Sequence, residues 1–303
     1  MKRLLFIYNP RSGKERIKTH LSAILDCFVK NGYCVEVRPT QEIQDARKYI
    51  EKHAYRFDRI VCSGGDGTLN EVVTGLMGYM EKPLIGYIPA GSTNDFASSI
   101  QLPKNMRKAA QTAMNGTPYS VDIGSMNDRY FTYVAGFGAF TEVSYLTPQE
   151  KKNLLGHQAY IIEGIKQLGS LKAYSVTLEH DGEVVEGRFI LCMITNSYSV
   201  GGFKGLTGKD INMNDGLFEV NLIKVPTSVM DYQNIIGVAI GMEQSNDAFL
   251  SFKTSRLVIH SNMEIPWTID GEFGGNHTEV EIVNHRKAIQ IMSGIEQNTG
   301  KLL

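Results

Sequence analysis

Strand-like and helix-like runs alternate through the first hundred residues, and this rhythm limits the fold more than any other feature. "RLLFIY" (3–8), "YCVEV" (33–37), "DRIVCS" (58–63) and "PLIGYIP" (83–89) read as strands. Between the first two, "RIKTHLSAILDCFVKNG" places Ile17, Leu21, Ile24, Leu25 and Phe28 on one helical face, with Gly32 as its stop. Residues 41–53 and "TLNEVVTGLM" (68–77) also read as helices, and "GSTNDFASSI" (91–100) opens another. A β-α-β-α order implies a mostly parallel, Rossmann-like sheet covered on both faces. Ligands of such sheets sit beyond the carboxyl ends of the strands. "NPRSG", "SGGDGT" and "PAGSTND" all fall at that edge.

Near residue 125 the rhythm changes. "RYFTYVAGFGAF", "GLFEVNLIK", "SRLVIHS" and "PWTIDGEFG" are strand-like, and "YSVTLEHDGEVVEGRFILCMITN" reads as a hairpin about Asp181-Gly182. Helices are expected only at 158–168 and near 228–241. Many strands with short turns suggest an antiparallel sandwich or barrel. The expected division is an α/β ATP-binding domain over 1–125 and a β-sandwich lipid-binding domain over 126–286. The tail, about 287–303, is expected to return to the first domain.

Composition supports packed domains. Of 303 residues 42% are hydrophobic and 21% charged, so a core is expected and disorder is not. A net charge of −1 argues against a broad nucleic-acid footprint. Cys27, Cys34, Cys62 and Cys192 lie apart with no C-x-x-C pair, which reads as reduced cytosolic thiols. The opening apolar run ends at Asn9-Pro10, too soon for a secretory leader. No apolar run approaches the ~18 residues of a membrane span.

Chemistry concentrates in the loops. In "VCSGGDGTLNEVV" (61–73), Gly64, Gly65 and Gly67 free backbone amides just before a helix, which makes an anion-binding nest. Asp66 would repel phosphate directly, but it makes sense if Mg²⁺ bridges the two. Thr68 could cap the helix and offer its hydroxyl. The plain alternative is a tight turn with Asp66 as a structural cap. The stretch is neither G-x-x-x-x-G-K-[ST] nor G-x-G-x-x-G. "YNPRSGK" (8–14) could cradle phosphate with its amides, helped by Ser12 or Lys14, or be an ordinary turn. In "PAGSTNDF" (89–96), Ser92, Thr93, Asn94 and Asp95 all suit helix capping.

In the second half, Asp270-Gly271 in "TIDGEFGG" reads as a hairpin turn. A turn leaves Glu272 unexplained, and a carboxylate that accepts a hydroxyl proton would explain it. "INMNDGLF" (211–218) is a turn or a small oxygen-lined ion site. The histidines lack metal-binding spacing, and Trp267 suits a core.

Taken in order, "NPRSGK", "GGDGTLNEVV", "IPAGSTNDFA" and "IDGEFGG" resemble the diacylglycerol-kinase catalytic family, in its soluble bacterial lipid-kinase branch. The resemblance covers nearly the whole chain. It implies a nucleotide domain, a β-rich domain and a cleft between them, with ATP, Mg²⁺ and a lipid hydroxyl as reactants. By position, Asn9, Pro10, Arg11, Ser12, Gly13, Thr40, Gly64, Gly65, Asp66, Gly67, Thr68, Leu69, Asn70 and Ser92 would surround the nucleotide. Asp66 would organise the catalytic Mg²⁺ and Glu272 would take the proton. Asp215, through its side chain, and Asn212 and Leu217, through their carbonyls, would hold a structural Mg²⁺. Ser92 replaces a frequent threonine and keeps the hydroxyl. Asn214 replaces a second aspartate in some relatives and lowers the local charge.

The implied activity is ATP-dependent phosphorylation of a lipid hydroxyl, most simply that of diacylglycerol to give phosphatidic acid. The rivals are an NAD-kinase-like enzyme and a non-catalytic nucleotide or lipid sensor. The implied setting is the cytoplasm with transient peripheral binding to membranes, and an edge strand could pair two chains as a homodimer.

Overall fold

The computed structural model describes residues 1–138, 172–198, 211–228 and 248–295, with Val200, Met230, Asp231 and residues 234–235. The helices expected at 158–168 and near 228–241 lie wholly or mainly outside the described residues. The chain forms two compact units, Met1–Asp122 with Lys287–Leu303, and Ile123–Arg286.

The N-terminal unit is an α/β layer structure. Its strands are β1 (Lys2–Tyr8), β2 (Tyr33–Pro39), β3 (Arg59–Gly64) and β4 (Leu84–Pro89). They pair in parallel in the order β2-β1-β3-β4. The final strand, β13 (Glu272–Ser293), adds to β4 in parallel through Ile291 and Ile85. In β1, Leu4, Leu5, Phe6 and Ile7 are all fully buried. Successive strand side chains point to opposite faces, so both faces of this sheet are covered. Leu4 and Phe6 pack with Ile17, Ile24 and Phe28 of α1 (Ile17–Lys30) and with Ala109 and Ala113 of α5 (Met106–Asn115). The expected stop of α1 is met: Gly32 follows its end at φ +84.

Two more helices, α2 (Asp45–His53) and α3 (Asp66–Leu76), pack on one another. α2 begins at Asp45 rather than at residue 41. Helix α5 was not foreseen. Its buried face is Met106, Ala109, Ala110, Ala113 and Met114, a helical spacing present in the sequence. Asn105 caps its start by accepting from the N–H groups of Arg107 and Lys108. Arg59 of β3 caps its end, donating to the carbonyls of Ala113 and Met114. The short α4 (Asp95–Ser99) follows β4.

The second unit is strand-rich. Its elements include β6 (Arg129–Phe131), β7 (Val134–Gly138), β8 (Tyr174–His180), β9 (Glu183–Thr195), β10 (Phe218–Lys224), β11 (Phe249–Thr254) and β12 (Arg256–Ile269). Pairing is antiparallel, in the order β11-β10-β9-β7-β12-β13, with β8 on β9 and β12. The hairpin about Asp181-Gly182 is present, with φ +48 and +81 at its two turn residues. Trp267 is core, as its sequence context suggests, and meets Phe137 edge-on at 5.1 Å.

Two expectations need correction here. "SRLVIHS" and "PWTI" are one strand, β12, whose register on β13 shifts between His260 and Ile265. The strand-like run from residue 129 is two strands, broken at Thr132-Tyr133. There the backbone N–H groups turn to a side-chain acceptor, Asp270, instead of a ladder.

Glu219 of β10 is 6% exposed and pairs across the ladder with Lys253 of β11, Nζ to Oε1 at 3.0 Å. Burial pushes its pKa up, and Lys253 pulls it back without cancelling the shift. A carboxylic acid with a raised folded-state pKa contributes stability below its unfolded pKa and loses it as pH rises through the folded one. Glu219→Gln should therefore raise the Tm at pH 7. Neutralising Glu219 also gives up its attraction to Lys253, so the net gain should be small, about 2 °C. Thermal melts should show it shrinking toward acid pH. A lower Tm at pH 7 would mean the ion pair is a net stabiliser.

Candidate active site

The loops at the carboxyl ends of the parallel strands are built backbone on backbone. After β1, Asn9 donates its N–H to the carbonyl of Ser63 at 2.9 Å, and its Oδ1 accepts from the Arg11 N–H at 2.9 Å. After β3, the Gly64 carbonyl accepts from the Ala90 N–H at 2.7 Å and from the Tyr87 hydroxyl at 3.1 Å. Gly13 sits at φ +56, and a Cβ there would lie 1.6 Å from the Ala90 carbonyl oxygen. A Cβ on Gly91 would lie 2.7 Å from the Gly65 Cα. These approaches allow no side chain, and they explain the glycines better than turn chemistry alone. The structure thus brings Asn9–Gly13, Gly64–Gly67 and the Ser92 loop together. Thr40 joins the end of β1 through its N–H on the Tyr8 carbonyl, 2.9 Å away.

Asp66 is the first residue of α3, and Gly65 takes the N-cap position. The expectation that Thr68 caps this helix is not met. Thr68 is the third residue of the helix and buried, its side chain packed over Gly64, where a Cβ would come within 2.3 Å of Oγ1. Leu69 is wholly buried, and its N–H donates to the Gly65 carbonyl at 3.2 Å. Pro10, Ser12 and Gly13 are partly exposed, and Arg11 and Ser92 exposed. The side chain of Lys14 lies outside the described part. Asn70 accepts a hydrogen bond from the Thr74 hydroxyl at 3.3 Å.

Several residues were given too small a role by the sequence. Asn94 adopts φ +55 ahead of α4 without capping it. Its side chain turns back, accepting from the Gly91 N–H at 2.9 Å and donating to the Gly91 carbonyl at 2.7 Å. Asp95 is 3% exposed, and its N–H donates to Asp66 Oδ2 at 3.3 Å. Tyr87 is fully buried under two of the loops, its hydroxyl bonded to Gly64 and to Asn94 Oδ1. Burial, with the charge of Asp66, pushes its pKa well up, so it stays a neutral donor. The signal for Tyr87 was a hydroxyl in an otherwise apolar buried strand.

The donor chemistry fits Mg²⁺. Asp66 offers hard carboxylate oxygen beside amide-lined glycines, and Mg²⁺ takes one or two carboxylates plus phosphate oxygens. Among the described residues no group of three or more His, Cys, Asp or Glu gathers into an all-protein cage.

In the β-rich unit, Asp270-Gly271 is the turn between β12 and β13, with φ +48 and +82. Asp270 does more than turn the chain. Its Oδ2 accepts from the Thr132 N–H and hydroxyl at 2.7 and 2.8 Å, and its Oδ1 from the Tyr133 and Val134 N–H groups at 3.0 and 3.1 Å. Burial pushes its pKa up, and these four bonds only partly offset the shift. Glu272 is exposed just beyond the turn. Arg129 donates to the carbonyl of the next residue, Phe273, at 3.1 Å. Residues 212–217 form a tight turn with Gly216 at φ +90. There Asp215 Oδ1 accepts from the Leu217 N–H and Asn212 Oδ1 from the Asn214 N–H.

Comparison with known proteins decides the family. A family model, the diacylglycerol kinase catalytic domain, matches residues 3–126. A diacylglycerol kinase of Bacillus subtilis (strain 168) is 38% identical over 278 residues, 91% of each chain. The chain belongs to the diacylglycerol kinase family. A diacylglycerol kinase of Staphylococcus aureus (strain bovine RF122 / ET3-1) is 34% identical over 90% of this chain and 87% of its own. A solved structure of a candidate diacylglycerol kinase from Bacillus anthracis str. Sterne superposes with a TM-score of 0.82 at 26% identity, covering 96% of this chain and 95% of the other. Membership makes the chain a lipid kinase, a phosphotransferase with an alcohol as acceptor. No helix among its described residues is long and apolar enough to cross a membrane.

Proposed function

We propose that the chain transfers the γ-phosphoryl group of ATP to the free hydroxyl of diacylglycerol, releasing ADP and phosphatidic acid. The observation that carries this reading is the stacking of three glycine-containing loops, with the carboxylate of Asp66 among them, at the carboxyl ends of parallel strands. The N-terminal unit, read as Rossmann-like, holds the nucleotide. The segments 9–13 and 64–70 line the phosphates, and Thr40 and Ser92 add hydroxyls. Asp66 is the residue to hold Mg²⁺, which when bound neutralises charge on the phosphates. Glu272 accepts the proton of the attacking hydroxyl. The β-rich unit, read as a sandwich, receives the lipid. The turn at Asn212, Asp215 and Leu217 is the place for a second, structural Mg²⁺. The enzyme works from the cytoplasm, associates peripherally with the bilayer that carries its substrate, and pairs as a homodimer.

The test is transfer of labelled γ-phosphate to lipid in mixed micelles. Labelled phosphatidic acid is the expected product, and label on NAD instead would replace this reading with the rival kinase. Glu272→Gln should lower kcat by about 10²-fold, the low end for a lost general base, with KM for ATP unchanged. A near-normal kcat in that variant would assign the proton to another acceptor.

A further inference from the structure

Three of the four segments assigned to the nucleotide meet through close backbone approaches at their glycines. The fourth, residues 40–44 with Thr40, is held differently. Thr40 itself is fixed to the end of β1. The remainder of the loop leads into α2, whose N-cap, Gln44, sits at φ +67 and makes no side-chain cap. A helix start without its own cap leaves N–H groups to be satisfied from elsewhere.

Glu71 of α3 satisfies them. Its Oε1 accepts from the Gln44 N–H at 2.8 Å, and its Oε2 from the Ala46 N–H at 3.1 Å. One carboxylate therefore spans the first turn of a neighbouring helix, where the helix dipole also favours negative charge. Asp45 holds the same loop from within. Its Oδ2 accepts from the Gln41 N–H at 2.9 Å, and its Oδ1 from Arg38 Nη2 at 2.8 Å. Five residues before Glu71, the same helix begins with Asp66.

We infer that Glu71 is a positioning residue for the nucleotide, fixing the Thr40 loop to the helix that begins with Asp66. The inference rests on the assignment of Thr40 to the ATP site. Glu71 touches neither substrate, so it acts on ATP affinity and leaves the chemical step alone. Glu71→Gln keeps the size of the side chain but puts an amide donor against an N–H, which releases one end of the loop. Loss of one such bond should raise the KM for ATP about tenfold. The kcat and the KM for lipid should each stay within about twofold.

The experiment is steady-state kinetics, with calorimetric binding of a non-hydrolysable ATP analogue, on Glu71→Gln, Thr40→Ala and the double variant. Because Glu71 acts through the Thr40 loop, the double variant should bind ATP little worse than Thr40→Ala alone. Additive losses would overturn the inference, as would a Glu71→Gln enzyme with unchanged ATP affinity or with a fall confined to kcat. If Thr40→Ala weakens ATP and Glu71→Gln does not, only the role of Glu71 falls. If Thr40→Ala changes nothing, the assignment of Thr40 falls and the inference with it. Should Glu71→Gln melt below the assay temperature, Asp45→Asn loosens the same loop from its other side and must raise the same KM.

Discussion

Asp66→Asn should yield a folded protein whose lipid phosphorylation is slower by at least about 10²–10³-fold, the usual loss when one charge-organising group leaves a phosphoryl or acyl transfer site. The substitution changes almost nothing but charge. Asparagine keeps an oxygen to accept the Asp95 N–H, now 3.3 Å from Oδ2, and keeps the start of α3 intact. The carboxylate is also the part that makes sense only with a cation, because an acid among amides that receive phosphate would otherwise repel the ligand. Turnover should be followed over a Mg²⁺ titration, with the Tm recorded alongside. The expected result is a Tm within a few degrees of wild type, since an acid in a first helical turn contributes only about 0.3–1 kcal/mol. The Mg²⁺ midpoint should move upward and the plateau should fall. Normal turnover at ordinary Mg²⁺ would remove Asp66 from the mechanism.

The N-terminal elements and the loops between them were legible because two signals coincide there. β1, β3 and β4 are continuous apolar runs, as strands buried on both faces must be, β2 at the end of the strand order alternates, and the loops after β1, β3 and β4 carry glycine where backbones meet. What the sequence hid was long-range partnership. Glu71 reads as one more polar residue on α3, since nothing in "TLNEVV" says that its hydrogen-bond donors are the N–H groups at the start of α2. Asn94 and Asp95 look alike as helix caps, yet one folds back on Gly91 and the other meets Asp66. Helix α5 is an oversight of another kind, since Met106, Ala109, Ala110, Ala113 and Met114 do recur at helical spacing. β13 escaped because its 22 residues alternate too irregularly to read as one strand.

Asp270 is the sharpest case, because its sequence reading was right and insufficient. The Asp-Gly pair does make the turn, but the carboxylate also gathers three backbone N–H groups and one hydroxyl from Thr132–Val134. All of this is buried, so no water replaces a lost acceptor. Asp270→Ala would strand three amide donors at about 1–3 kcal/mol each, with partial relaxation. A loss of about 3–5 kcal/mol is expected, a large share of the stability of an ordinary domain. Urea titration should show it, and Asp270→Asn, which retains one acceptor oxygen, should fall between. Because Glu272 follows Asp270 by two residues, any folded Asp270→Asn enzyme should also lose kcat before it loses affinity for ATP. A loss under about 1 kcal/mol for Asp270→Ala would mean that the β6–β7 connection finds other acceptors and that the turn alone explains the aspartate.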